Sequence, residues 1–194
     1  SRMTKGLGAI QGMKLESVLL KKQTAIVKKW FDLVVDTYPA DTSRFLKRQK
    51  DPFANPVGSA TLKGLNAIFT DLMGELKPET AMGHVDPIVR IRAVQKFTPG
   101  QATGFVLSLK KIVRDQLGDD TEGPERRKEL EAFDARVDQL CLIAFDVFVK
   151  CREKIFQIQA TEQRNRFFKA FERAGLVSEL PEKETDSGKS DLTQ

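Results

Sequence analysis

The chain has 194 residues, enough for one globular domain with tails, and its apolar fraction of 40%, with 13 Phe, is sufficient to fill a core. Its formal charge of +5 is carried by helical stretches in which bases alternate with acids, which is typical of solvated helix faces and argues against a nucleic-acid footprint. No apolar run reaches the roughly 18 residues of a membrane span, and the first residues carry no signal-peptide core, so we expect a cytoplasmic protein.

The first predicted helix covers residues 15–35. Its apolar residues recur at spacings of three and four with lysines between them, which is the period of an amphipathic helix. It should end near Tyr38, because Pro39 disfavours helical geometry in the residue before it. A short helix, capped by the polar residues at 41–43, is expected next.

A second long helix is predicted after the proline-containing connector at 51–58. It should begin near Ser59 and end before Pro78. A loop is expected around residue 84, and then a third helix at 86–96, opened by an Asp-Pro pair that suits the cap and the first helical position. Because this third helix is apolar on most sides, it should be short and buried.

The fourth predicted helix has signals at both ends. Thr98, Pro99 and Gln101 form the pattern of a capping box with proline at the first helical position. Gly118 is a natural residue just beyond the last turn, because glycine adopts the left-handed conformation without strain. A polar hinge at 118–123 follows.

A very long helix is predicted from Pro124 to the carboxy-terminal region, because no other proline or glycine occurs before Gly175. If unbroken, a helix of about 50 residues would be about 75 Å long. Part of it should therefore meet a second copy, and the later phenylalanines up to residue 176 should face a partner. The alternative is a break near 159–165. The residues predicted to form both the core and a dimer seam are Leu130, Phe133, Val137, Leu140, Cys141, Ala144 and Phe148.

These elements predict an all-α fold, a helical bundle with a very long carboxy-terminal helix. One domain at 13–176 should lie between a flexible amino terminus at 1–12 and a disordered acidic tail at 177–194. Cys141 and Cys151 are ten residues apart on one predicted helix, about 15 Å along its axis, so reduced, buried thiols are expected.

The residues present do not support catalysis or a metal site. One His and two Cys are too few for a zinc site, and no glycine motif of a nucleotide site occurs. His84 is the only histidine that a catalytic triad or a haem iron could use. We therefore predict no enzyme, no metal and no cofactor, with His84 as the one haem candidate.

A buried polar cluster is predicted from two groups of charged residues. Arg90 and Arg92 lie in the otherwise apolar third helix, so at least one of them must reach solvent or find a buried carboxylate. Asp146, Arg152 and Glu153 interrupt the apolar run of the last helix and are the candidate partners. The cluster is either an ion pair that sets helix register or a group that responds to a ligand.

Three segments of the chain resemble the amino-terminal domain of the RsbRD (RsbT co-antagonist) family. They are QKDPFANPVG at 49–58, IVRIRAVQKFTPGQ at 88–101 and LIAFDVFVKCREKI at 142–155, and the likeness covers about 15–165. The resemblance implies a globin-like bundle related to the non-haem globins of stress-signalling RsbR proteins. In those proteins the domain is an input module whose last helix leads into a STAS domain.

The expected function is thus a non-enzymatic sensory or scaffolding domain of bacterial signalling. It should form a homodimer and bind a signalling protein partner, such as a STAS-domain or kinase protein. One alternative is a globin-like sensor of haem or of another small ligand. The other is nucleic-acid binding through basic residues, either Lys47, Arg48 and Lys50 or Arg164, Arg166, Lys169 and Arg173.

Overall fold

The computed structural model describes residues 13–95 and 97–175. The predicted flexible amino terminus at 1–12 and the predicted acidic tail at 177–194 lie outside the described residues. Within the described part of the chain every regular element is an α-helix, which confirms the predicted fold class. The helices are α1 Leu15–Val35, α2 Ala40–Arg48, α3 Pro56–Leu72, α4 Pro78–Val94, α5 Pro99–Thr103, α6 Phe105–Leu117 and α7 Pro124–Arg173.

The chain divides into two compact units, Ser1–Lys154 and Ile155–Gln194. The division falls inside α7, which is one continuous helix as predicted, so the alternative of a break near 159–165 is not present. The single domain at 13–176 stays a prediction. The first unit contains α1 to α6 and the amino-terminal part of α7, and it holds the buried core.

The core of the first unit is built around Trp30 of α1. Its indole Nε1 donates a hydrogen bond to the carbonyl oxygen of Phe105 at 2.8 Å, and the two rings lie 6.0 Å apart. A buried indole needs such an acceptor because an unpaired N–H inside a core is costly. The surrounding apolar side chains come from α1, α3, α4, α6 and one side of α7.

Several predicted helix ends are confirmed. Helix α1 has the predicted bounds. Thr98 and Gln101 form the expected reciprocal capping box, and Gly118 has the positive φ of 58° that follows the end of α6. The predicted fourth helix is divided at Gly104 into α5 and α6.

Two predicted capping segments lie inside helices. Residues 41–43 lie inside α2, which begins one residue after Pro39, and the hydroxyl of Ser43 donates to Asp36 at 2.7 Å. Helix α4 begins at Pro78, so the expected loop around residue 84 is helical and Pro87 lies in the helix interior. The helix continues through this proline, which removes the main-chain hydrogen bond to the carbonyl of residue 83.

Helix α3 begins earlier than predicted because Asn55 acts as its cap. The Asn55 side-chain oxygen accepts a hydrogen bond from the Gly58 N–H at 2.8 Å. Its side-chain nitrogen donates to the carbonyls of Leu46 and Gln49 at 3.0 and 2.8 Å. One buried amide thus joins the end of α2 to the start of α3.

Replacing Gly58 with alanine should destabilise the fold by about 1–3 kcal/mol. A Cβ atom at this position would lie 2.3 Å from the Asn55 side-chain nitrogen, so the cap and its two carbonyl contacts must shift. Urea unfolding measures the free energy of unfolding of each variant.

Gly83→Ala is the matched control. A Cβ there meets nothing within 4 Å, and alanine is the better helix former, so this change should stabilise the protein by up to about 1 kcal/mol. Equal effects of the two substitutions would contradict the assigned role of Asn55.

Candidate functional site

Arg92, on α4, has a completely buried side chain. Its exposed fraction is 0%. The guanidinium donates hydrogen bonds to the main-chain oxygens of Val34 and Gln101, each at 3.1 Å, and to the hydroxyl of Thr37. Burial lowers the pKa of Arg92 below its ordinary value because it disfavours the charged form.

Three aromatic rings surround the Arg92 guanidinium. Its central carbon lies 4.8 Å from the ring centre of Phe97, 5.3 Å from that of Phe105 and 5.5 Å from that of Tyr38. Cations are attracted to aromatic faces, and the Val34 carbonyl lies in the last turn of α1, where the helix dipole is negative. The charge is therefore stabilised by rings and main-chain dipoles, while the Nε atom has no hydrogen-bond partner among the described residues.

The predicted buried cluster of five charged residues is wrong as an assembly. Arg90 is exposed and forms an ion pair one turn away with Asp86, at 2.7 Å. Asp146 and Glu153 are exposed. Only Arg152, which is half-buried, reaches α4, where it donates to the Ala93 carbonyl at 3.1 Å. The hydrogen bonds of Arg92 are made to neutral oxygens of Val34, Thr37 and Gln101 instead of the expected carboxylate.

His84 lies on α4 and contacts the end of α3. Its Nδ1 is 2.7 Å from a carboxylate oxygen of Asp71, and its side chain is partly exposed. This pair joins two consecutive helices at their surface. Haem binding through His84 stays a prediction.

The residues predicted for the dimer seam lie mostly in the core of the single chain. Six of the seven are buried, and Cys141 is half-buried. Buried side chains cannot contact a second copy unless the core opens, so these six serve the fold of the first unit. Homodimerisation itself stays a prediction.

Helix α7 also carries exposed apolar side chains in both units. In the first unit Leu142 is 68% exposed and Phe145 is 45% exposed. In the second unit the exposed large apolar residues are Phe156, Ile158, Phe167, Phe168 and Phe171. Sequence reasoning missed Leu142 and Phe145, because the segment around them is apolar on nearly every side and its pattern does not separate core from surface.

Other candidate chemistry is limited in the described part of the chain. No group of three or more metal-ligating side chains occurs there. Both thiols are unpaired and half-buried instead of fully buried, and burial raises the pKa of Cys141 and of Cys151. No helix there is long and apolar enough to cross a membrane.

A comparison with known protein families supports the resemblance found in the three sequence segments. The family model described as the RsbT co-antagonist protein RsbRD N-terminal domain matches residues 24–163. The chain belongs to the RsbRD N-terminal domain family. No curated protein and no solved structure matches it.

Each of the three RsbRD-like segments has a distinct place in this structure. The segment at 49–58 contains the Asn55 cap. The segment at 88–101 contains Arg92 and ends in the capping box of α5. The segment at 142–155 contains Leu142 and Phe145, together with Arg152, which contacts α4. This family is one of signalling and regulatory domains.

Replacing Arg92 with alanine should lower the free energy of unfolding by about 2–5 kcal/mol. The change removes a fully buried side chain from between three rings and the carbonyls of two helices, which leaves a cavity. Chemical denaturation followed by circular dichroism provides the measurement.

Arg90→Ala is the control, because it removes the same side chain from an exposed position two residues away. Its effect should stay within about 0.5 kcal/mol. If both arginine variants were equally stable, the assigned role of Arg92 in joining α1, α4 and α5 would be refuted.

Proposed function

We propose that this protein is a non-enzymatic sensory and regulatory domain of bacterial stress signalling that acts in the cytoplasm. It forms a homodimer through α7 and binds a signalling protein, such as a STAS-domain or kinase protein. The observation that carries the proposal is the set of large apolar side chains that α7 exposes. Membership of the RsbRD N-terminal domain family supports the regulatory role.

The dimer contact is assigned to Leu142 and Phe145 in the first unit. They are three positions apart, so they lie on one face of α7, away from the buried face. Burial of each side chain stabilises a complex by up to about 1.5–3 kcal/mol. A two-fold interface uses the same patch on both copies, so each contact is made twice.

The partner contact is assigned to the second unit. From Phe156 to Gly175 every described residue is exposed, and this stretch carries four phenylalanines. Helices in proteins gain most of their stability from packing of an apolar face, and clustered exposed apolar residues mark interaction sites. Phe171 lies four positions after Phe167 and three after Phe168, so the three side chains supply such a face.

The first test is the molar mass in solution of a variant with Leu142→Glu and Phe145→Glu. The wild type should have twice the mass of one chain in light scattering at micromolar concentration. The double variant should have the mass of a single chain, because a two-fold contact would bring four carboxylates together. The control is Leu20→Glu, which changes an exposed leucine on α1 and should leave the dimer intact.

The second test separates the partner face from the dimer face. A variant with Phe167→Glu and Phe171→Glu should keep the mass of the dimer, because these residues are assigned to a different protein. Monomeric wild-type protein at all concentrations would refute dimerisation. Dissociation by the phenylalanine changes, but not by those at Leu142 and Phe145, would move the seam to the second unit.

A further inference from the structure

An open groove of about 520 Å³ lies in the first unit between α1, α2 and α3. Its apolar lining includes Val27 and Phe31 of α1, Leu46 of α2 and Leu62 of α3. The volume falls within the range of about 300–1,000 Å³ that is typical of small-molecule sites. None of the residues that line this groove belongs to α7.

The rim of this groove is strongly basic. Four lysines line it, and Asp32 is the one acid among the lining residues. Lys47 is held by Asp36, with its ammonium 2.7 Å from one carboxylate oxygen. The other three, Lys28, Lys50 and Lys63, are exposed and form no ion pair with any described residue. Apolar walls beneath uncompensated ammonium groups are complementary to a molecule with an apolar body and an anionic head.

One wall of the groove is rigidly built. The buried amide of Asn55 makes three hydrogen bonds to the backbone, and the Gln49 side chain accepts from the Asp51 N–H at 3.1 Å. These bonds fix the segment that presents Lys50. They also use the polar atoms of Asn55, so this amide is not free to bind a ligand head. A preformed wall lowers the ordering cost of binding.

We propose that this groove binds an amphiphilic anion, whose apolar chain lies on Val27, Phe31, Leu46 and Leu62 and whose carboxylate or phosphate head contacts Lys28, Lys50 and Lys63. A small hydrophilic anion would leave the apolar floor in water. A neutral apolar molecule would gain nothing from the lysines. The inference rests on the proposed sensory function for its biological meaning, but binding itself is independent of dimerisation.

The experiment titrates the full chain with decanoate, decyl phosphate and decan-1-ol below their micelle concentrations, using calorimetry. The two anions should bind saturably, with one molecule per chain, and more weakly as salt is raised. The alcohol should bind at least about tenfold more weakly, because it lacks charge-assisted hydrogen bonds. Tighter binding of decanoate than of decyl phosphate would indicate a fatty-acid-like ligand, and the reverse order a phosphate-bearing lipid.

Matched variants locate the site. Lys63→Glu should weaken binding of both anions by about tenfold or more. Leu62→Glu, at a neighbouring exposed position on the floor, should abolish it. Lys111→Glu reverses an exposed lysine on α6 and should leave affinity unchanged. Circular dichroism checks that all three variants fold.

Three results would overturn the proposal. They are the absence of saturable binding, equal affinity for the alcohol and the anions, and equal effects of Lys63→Glu and Lys111→Glu. The same titration on the Leu142→Glu, Phe145→Glu variant separates this inference from the proposed dimer. Full affinity in that variant supports the groove whatever its mass, whereas loss of binding would place the ligand elsewhere.

Discussion

The side of α7 that closes the core determines what the rest of this helix can do. Between Leu130 and Phe148 its buried side chains belong to the same cluster as Trp30 and Phe105. Because the other helices of the first unit cover this face of α7, it is unavailable to other proteins. The proposed association therefore uses the opposite face, where Leu142 and Phe145 are exposed. One helix thus joins the stability of the first unit to its proposed contacts.

Arg92 shows how the same fold holds a charge without a carboxylate. A buried cation is costly unless dipoles or charges replace its water. Here rings on several sides and the carbonyl end of α1 take that role. The arrangement ties α1, α4 and α5 at one point, which explains why an arginine can lie in an otherwise apolar helix. Its place within the RsbRD-like segment at 88–101 is structural, and the exposed surfaces carry the proposed function.

The sequence predicted what local physics decides and missed what tertiary contacts decide. The bounds of α1, the Thr98 capping box and the Gly118 stop follow from spacing, proline and glycine within a few residues. The start of α4 was missed because a local Asp-Pro signal at 86–87 looked stronger than the helix that continues through it. Two of the three oxygens that hold Arg92 belong to the main chain, which has no side-chain signature. The groove between α1, α2 and α3 was missed because its lysines come from three helices and a turn, which only the tertiary fold brings together.

The claim that α7 builds the core with one face and associates through the other is tested most directly by hydrogen exchange. Mass spectrometry should follow peptides of α7 at low and at high protein concentration. We expect the amides around 130–140 to be protected at both concentrations, and those around 142–150 to gain protection as the concentration rises. Exchange around 142–150 that is the same at every concentration, in protein of single-chain mass, would contradict the account.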